Sequence, residues 1–448
     1  MDQTEALPED ALAGILGRLR PRDLAVCRCV RKAWRAIVDA SGLLFPHVVP
    51  LTLRGLFLNY RNRTSPRFFA RPASTRQPAV DGDLGFLPHY GSGSRRIVDH
   101  CNGLLLYRDL RRLSVVNPAT RRWEDLEDDG FDARLVFDPA VSLHYEVFSI
   151  WLEPGEVITE NPAKPDLIEY PPSTWTLNVF SSSTRQWEKR LFVREAEAPE
   201  TVTNVQLDPV ERRSMWWNGH WCCSSSVYWR GSLYLLHCCG VFVVRLSLSD
   251  RKYRVIKTPI NIDECKKAQP YIGKSEKGVY FASMHNSFRL QVWTLVESSE
   301  RVDWVSNSII DLKACATVKS HGSHNMEGTL KTWILDGGGD DDDVDGNNTR
   351  TMIENLDWDS DDDSIVNIED AYEGICNQIC FLGFHPYKEV IFLGLTSSQG
   401  GVGVACHLNG SKFQYLGILS QHTFWLGIQG SFPYTPCISG HLLKSFRE

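Results

Sequence analysis

Asp341, Asp343, Asp345 and Gly346 stand in the D-x-D-x-D-G order that opens a calcium-binding loop. Oxygen ligands at alternate positions suit a hard cation, but the shell closes only with a bidentate Glu at the twelfth position, where this chain has Met352. The run follows Gly337-Gly338-Gly339 and precedes Asp357-Trp358-Asp359-Ser360-Asp361-Asp362-Asp363. Between 340 and 370 there are 13 Asp/Glu and one Arg, a local balance of −12 against −7 for the whole chain. Charge so concentrated cannot offset its own ordering entropy, so a disordered, self-repelling insertion at about 337–366 is expected in place of a metal site. Such a tract could attract a basic partner.

Sulfur offers a second candidate chemistry. His220-Trp221-Cys222-Cys223 and His237-Cys238-Cys239 place paired thiols beside histidines. Neighbouring side chains on a strand point to opposite faces, so each pair presents only one thiol to a common centre. C-x-x-C knuckles are absent, and Cys376 and Cys380 stand four apart. The expectation is buried free thiols and no metal. An odd count of 13 cysteines without dense regular spacing agrees with a reducing compartment, the cytoplasm and/or the nucleus.

No nucleophile elbow, phosphate loop or paired metal-binding His motif occurs, and Gly400-Gly401-Val402-Gly403 reads as a glycine-rich turn. No catalytic residue is assigned and no cofactor is expected. The acidic start, Met1 to Asp10, lacks the form of a secretory signal, and no run of about 18 apolar residues would cross a membrane. Outside the acidic tract the chain is only mildly basic, with no Lys/Arg cluster dense enough to argue for nucleic acid. The remaining function classes are a binding or adaptor protein and an enzyme assembled from loops.

Near the N-terminus, Leu12, Ile15, Leu16 and Leu19 fall at i, i+3, i+4 and i+7, which makes one side of a short helix apolar. Glu9 and Asp10 place negative charge on its first turn, where the macrodipole favours it. Arg20-Pro21 ends that helix, and Pro21 can open a second, whose buried side begins at Leu24. Val30, Trp34 and Ile37, at i, i+4 and i+7, predict a third. Three helices of about ten residues bury too little surface alone and call for a partner.

The Leu7-Pro8-Glu9-Asp10 start, the Arg20-Pro21 break and Trp34 together resemble the F-box, the segment that docks substrate receptors onto the Skp-type adaptor of a cullin ubiquitin ligase. The resemblance implies that Leu7, Pro8, Ile15, Leu16, Leu19, Leu24 and Val30 contact the adaptor and that Leu12, Trp34 and Ile37 form the helical core. It implies no enzyme: the partners are the adaptor, through it a cullin, and a target protein.

Past residue 95 one theme recurs. Asn117-Pro118-Ala119-Thr120-Arg121-Arg122-Trp123-Glu124 is echoed by Ser181-Ser182-Ser183-Thr184-Arg185-Gln186-Trp187-Glu188. Looser copies run from Ser247 to Tyr253, Ser299 to Trp304 and Asn409 to Tyr415, each a polar turn closed by an aromatic residue. Earlier turns at Asn102-Gly103, Arg230-Gly231, Lys277-Gly278 and Lys388-Glu389 each enter an apolar run. The spacing is near that of kelch-type blades, and one blade cannot bury both its faces, so five to seven must stack around an axis. A pair of tandem β-sandwiches is the alternative architecture. With Cys101-Asn102-Gly103-Leu104-Leu105 ahead of Asn117-Pro118-Ala119-Thr120-Arg121, the body resembles the F-box-associated domain of plant F-box proteins.

The expected fold is therefore multidomain α+β: a three-helix F-box over 1–45, a connecting segment over 46–95 and a β-propeller over 96–448. The Pro-rich stretch Glu153 to Ser173 reads as an insertion in the propeller.

Overall fold

The computed structural model describes residues 9–19, 27, 30–40, 52–61, 63–71, 80–88, 95–109, 112–127, 132–150, 169–195, 200–201, 225–237, 240–265, 268–285, 288–298, 301–312, 332–336, 378–397, 400–409, 412–420 and 427–437. Leu7, Pro8, Leu24, the Arg20-Pro21 break, most of the Pro-rich stretch and the acidic tract lie outside the described residues.

The helical head contains α1 (Glu9–Leu16) and α2 (Lys32–Ala40). The next strands are β1 (Gly55–Tyr60) and β2 (Arg67–Ala70), followed by β3 (Arg95–Cys101), β4 (Leu104–Asp109), β5 (Arg112–Asn117) and β6 (Arg122–Glu127). Then come β7 (Ala133–Phe137), β8 (Tyr145–Ser149), β9 (Glu169–Tyr170), β10 (Thr174–Ser181), β11 (Gln186–Arg194) and β12 (Glu200–Thr201). The third group is β13 (Ser226–Trp229), β14 (Ser232–Leu236), β15 (Phe242–Ser247) and β16 (Lys252–Lys257), with the short helix α3 (Ile262–Cys265) after it. The fourth is β17 (Ala268–Ser275), β18 (Gly278–His285), β19 (Arg289–Glu297) and β20 (Val302–Asp311). After β21 (Ile334–Asp336), the chain forms β22 (Gln378–Phe384), β23 (Val390–Ser397), β24 (Gly400–His407), β25 (Phe413–Ser420) and β26 (Ile428–Tyr434).

Twenty-four of these strands make six four-stranded antiparallel units, while β9 and β12 pair with each other and a short parallel pairing of β11 with β16 links the second unit to the third. The first is β3–β6, the second β7, β8, β10 and β11, the third β13–β16, the fourth β17–β20 and the fifth β22–β25. A closing unit has the order β21-β2-β1-β26. Each unit contributes its innermost strand to a ring in which β26, β3, β7, β13, β17 and β22 touch in turn, and β22 returns to β26. The ring is that of a propeller. Its closure joins β26 to β1 from the N-terminal side of the domain, so the closing blade is completed only when both ends meet.

The apolar packing has the same sixfold division. Separate cores lie between the first and second blades (around Leu106, Phe137 and Tyr145), the second and third (Phe148, Phe192, Phe242) and the third and fourth (Ile256, Phe281). Others lie between the fourth and fifth (Tyr280, Ile391), the fifth and closing (Phe69, Phe392) and the closing and first (Phe57, Tyr434). One core per seam is what a ring of blades requires; tandem sandwiches would bury their cores within each pair of sheets.

Local chemistry explains the recurring theme. Arg121, Arg185 and Arg251 adopt φ of 53°, 58° and 54°, and each turns the third strand of a blade into the fourth. A left-handed residue at the end of such a turn matches the twist of the two strands. The earlier turns Asn102-Gly103 and Arg230-Gly231 have positive φ at both positions, the geometry of tight two-residue hairpins. The later copies fall on the β19–β20 and β24–β25 hairpins. All five copies thus mark equivalent corners of five blades.

Two expectations need correction. The segment 46–95 is not a mere connection: β1 and β2 are buried strands of the closing blade, and Leu84 and Leu87 pack into the seam with the first blade. The apolar run that ends at Leu58 is strand-like in the sequence, but nothing in it shows that its neighbours in the sheet are β2 and β26. Gly400–Gly403 is not a turn but the start of β24, and a Cβ at Gly403 would lie 2.7 Å from the Phe69 ring. Glycine there admits close approach of a neighbouring blade.

Candidate functional site

In the helical head Leu12, Leu16 and Val38 are buried, with Leu19, Cys27, Trp34 and Ile37 packed partly against them. The end of α1 tightens, the amides of Arg18 and Leu19 donating to the carbonyls of Ile15 and Leu16 at 3.2 and 3.0 Å. Ile15 is 51% exposed and Val30 63% exposed. Leu16, expected on the docking face, is instead in the helical core at 2% exposure, and Val38 takes the central place in α2 that spacing gave to Trp34 and Ile37. Val30 precedes α2 and does not share its buried side. The head therefore offers apolar surface at Ile15, one position from Leu16 of its core, and at Val30.

The propeller axis holds a second concentration of functional side chains. On the inner strand β3, buried Asp99 accepts from the Leu135 amide of β7 at 2.8 Å and from the Ser226 hydroxyl of β13 at 3.1 Å. Burial pushes its carboxyl up to about 6, while the Arg134 charge and these hydrogen bonds pull the other way. Lys274 of β17 donates to Asn102 Oδ1 at 2.7 Å, and Asn102 Nδ2 donates to the Phe137 carbonyl at 2.7 Å. Aromatic rings fill the space beside them: Tyr271 stacks on Phe381 at 5.2 Å, and His100 meets Phe432 edge-on at 5.6 Å.

These groups are poised for structure. Burial lowers His100 and His385 to about 3, assisted by Lys274 and Lys388 respectively, so both rings are neutral near pH 7. Burial raises the Cys101 thiol to about 12, which keeps it from acting as a thiolate. Three inner strands are thereby tied around one carboxylate. Sequence reasoning missed this cluster, although a charged residue within each of Ile97-Val98-Asp99-His100-Cys101 and Ala133-Arg134-Leu135-Val136-Phe137 was a usable signal.

Of the sulfur candidates, His220, Cys222, Cys223, Cys238, Cys239 and Cys376 lie outside the described residues. His237 is buried and stacks on Phe242 at 4.4 Å, and Cys380 is half-buried and in no disulfide. Among the described residues no three His, Cys, Asp or Glu side chains converge as a metal site, and no helix is long and apolar enough to cross a membrane.

The chain sets a small helical head ahead of a propeller-like β domain. Residues 5–46 match the F-box domain family, so the chain carries an F-box domain followed by a propeller-like domain. An F-box protein of Arabidopsis thaliana is 26% identical over 126 residues, 27% of this chain, and the chain spans only 32% of that relative's length. Among solved structures, the β-propeller domain of Myceliophteria thermophila Cps50 (Swd1) is similar with a TM-score of 0.34 at 9% identity, over 79% of this chain and 95% of that one. The lectin SapL1, solved with alpha methyl fucoside, is similar with a TM-score of 0.33 at 9% identity, over 83% and 97%.

Proposed function

We propose that this chain is the substrate-recognition subunit of a Skp/cullin/F-box ubiquitin ligase, working in the cytoplasm and/or the nucleus. The observation that carries the reading is the F-box match over residues 5–46, in a head whose Ile15 and Val30 are exposed above a core of Leu12, Leu16 and Val38. The head holds the adaptor and the propeller holds a target protein. The chain itself performs no bond-making step. Its contribution is proximity: a target held beside the recruited ubiquitin-transferring enzyme reacts as if at a high effective concentration.

Co-purification tests the proposal. The full chain should bring down a Skp-type adaptor and a cullin, and a chain lacking residues 1–45 should bring down neither. Adaptor without cullin would mean an F-box adaptor working outside ubiquitination. Capture of neither would overturn the reading and favour a propeller enzyme whose helices are incidental.

A further inference from the structure

Five of the six blades take their outermost strand from a hairpin: β6, β11, β16, β20 and β25 each run antiparallel to the strand just before them in the chain. The closing blade does not. Its outermost strand is the three-residue β21, set in the sequence between β20, which ends at Asp311, and β22, which begins at Gln378. Ile334, Leu335 and Asp336 pair with Ala70, Phe69 and Phe68 of β2. The other five outer strands have six to ten residues. A tight turn out of β2 would finish the blade at a lower entropy cost than a segment brought from so far along the chain.

This segment lies in a groove with two walls. On one side it adds to the outer edge of β2, and on the other the Trp333 amide donates to the Leu416 carbonyl of β25 at 2.6 Å. Trp333 is buried in the seam between the fifth and closing blades, its ring 5.2 Å from Phe69 and 6.0 Å from Phe392, and Leu335 packs partly against the same core. Ile334, between them, is 47% exposed. Side chains alternate along an extended segment, so an aromatic and an aliphatic residue two apart enter the groove and the residue between them faces out. Glycine lets the backbone approach: a Cβ at Gly417 would collide with the Trp333 carbonyl oxygen.

We propose that the groove between β2 and β25 docks an extended segment of a partner protein, which adds to β2 as a strand and seats a large aromatic residue and, two residues on, an aliphatic one; residues 332–336 fill it in the free chain. The inference rests on the reading of the propeller as the part that holds a target. In strand addition, backbone pairing supplies the affinity and pockets for alternate side chains supply the selectivity. The resident Thr332-Trp333-Ile334-Leu335-Asp336 defines the chemistry the groove accepts. Three paired residues and one indole open locally at less than the free energy of the whole domain, and the edge of β2 that they leave is a template for another strand. The resident segment lowers the apparent affinity for a partner in proportion to the fraction of chains in which it is seated.

The test uses the full chain expressed with a Skp-type adaptor and a labelled peptide of residues 331–337, read by fluorescence anisotropy beside a scrambled peptide and the same peptide carrying Trp333→Ala. The full chain carrying Trp333→Ala should bind the natural peptide at least about tenfold more tightly than the natural chain does, because its own segment no longer competes. The peptide should also raise that variant's melting temperature. Neither control peptide should bind, and adding Gly417→Val to the variant should remove binding of the natural one. Equal binding of the scrambled peptide, or no binding by a Trp333→Ala chain that still unfolds cooperatively, would overturn the proposal. Hydrogen exchange on the natural chain tests it without any substitution: the amides of residues 333–336 should exchange faster than those of β6 and β20. Exchange of these amides only through global unfolding would overturn it as well. Adaptor capture is scored in parallel. Absent peptide binding with adaptor still captured sinks this inference alone, and intact peptide binding without adaptor sinks the functional reading alone.

Discussion

The Tyr145 hydroxyl donates to Glu124 Oε2 at 2.6 Å, across the seam between the first and second blades, and Arg185 from the turn after β10 closes on the other carboxylate oxygen. The same device returns twice: Tyr234 donates to Glu297 at 2.7 Å with Arg245 alongside at 3.4 Å, and Tyr280 donates to Glu389, which Lys277 pairs at 2.9 Å. Each joins neighbouring blades. Because Tyr145→Phe leaves a nearly buried carboxylate without one donor, it should cost about 1.5–3 kcal/mol. In a double-mutant cycle with Glu124→Gln, measured by denaturant unfolding, the two losses should be strongly non-additive. Simple additivity would mean that the seam is held by apolar packing alone.

The helical head separates stability from docking at adjacent positions. Trp34 is half-buried against Leu12, Leu16 and Val38, so Trp34→Ala should destabilise the head by about 2 kcal/mol, below the ~3–5 of a fully buried aromatic. Ile15→Glu, on the exposed side, should change stability by no more than about 0.5 kcal/mol and yet abolish adaptor pull-down. Full adaptor binding by Ile15→Glu would place the docking surface elsewhere.

Asp99 and the two buried histidines set opposing pH dependences. Raised from 3.8 to about 6, Asp99 binds its proton more readily in the folded chain, so its contribution is present below the unfolded value and is lost as pH rises through about 6. His100 and His385, lowered from 6.5 to about 3, contribute above the unfolded value and lose that contribution as pH falls toward 3. The windows overlap between about pH 4 and pH 6. Asp99→Asn removes a term on the order of 3 kcal/mol, so stability should climb more steeply with pH across that interval than in the natural chain. Urea unfolding at several pH values checks the slope, and an unchanged slope would place the titration of Asp99 outside the interval.

Replacing residues 340–363 with a Gly/Ser linker should leave the melting temperature unchanged or slightly raised, since the tract concentrates like charge and offers little apolar surface. Differential scanning calorimetry with and without calcium decides it. A melting point lowered by many degrees would make the tract part of the packed domain, and a calcium-dependent rise would restore the metal site that Met352 argues against.

How much the sequence determined follows from the range of the interactions involved. Turn chemistry is local, so the Thr-Arg-x-Trp copies at Trp123 and Trp187 already mark blade corners, and the i, i+3, i+4, i+7 pattern of Leu12 to Leu19 already gives α1. Periodicity also implied a closed ring, because repeated sheets with two apolar faces have no other way to bury both. Only the tertiary structure decided which strands meet. β1 and β26 are separated by almost the whole chain, and nothing local in Gly55–Tyr60 announces that its partner is Ile428–Tyr434. The same limit hid the axis: Leu135 and Ser226 both donate to Asp99 only because three distant strands converge. It also hid Leu16, whose spacing equals that of Ile15 on the apolar side but whose burial depends on the angle at which α2 crosses it. Local periodicity fixes which side of an element is apolar; only the packed neighbour decides which of those residues it covers and which it leaves for a partner.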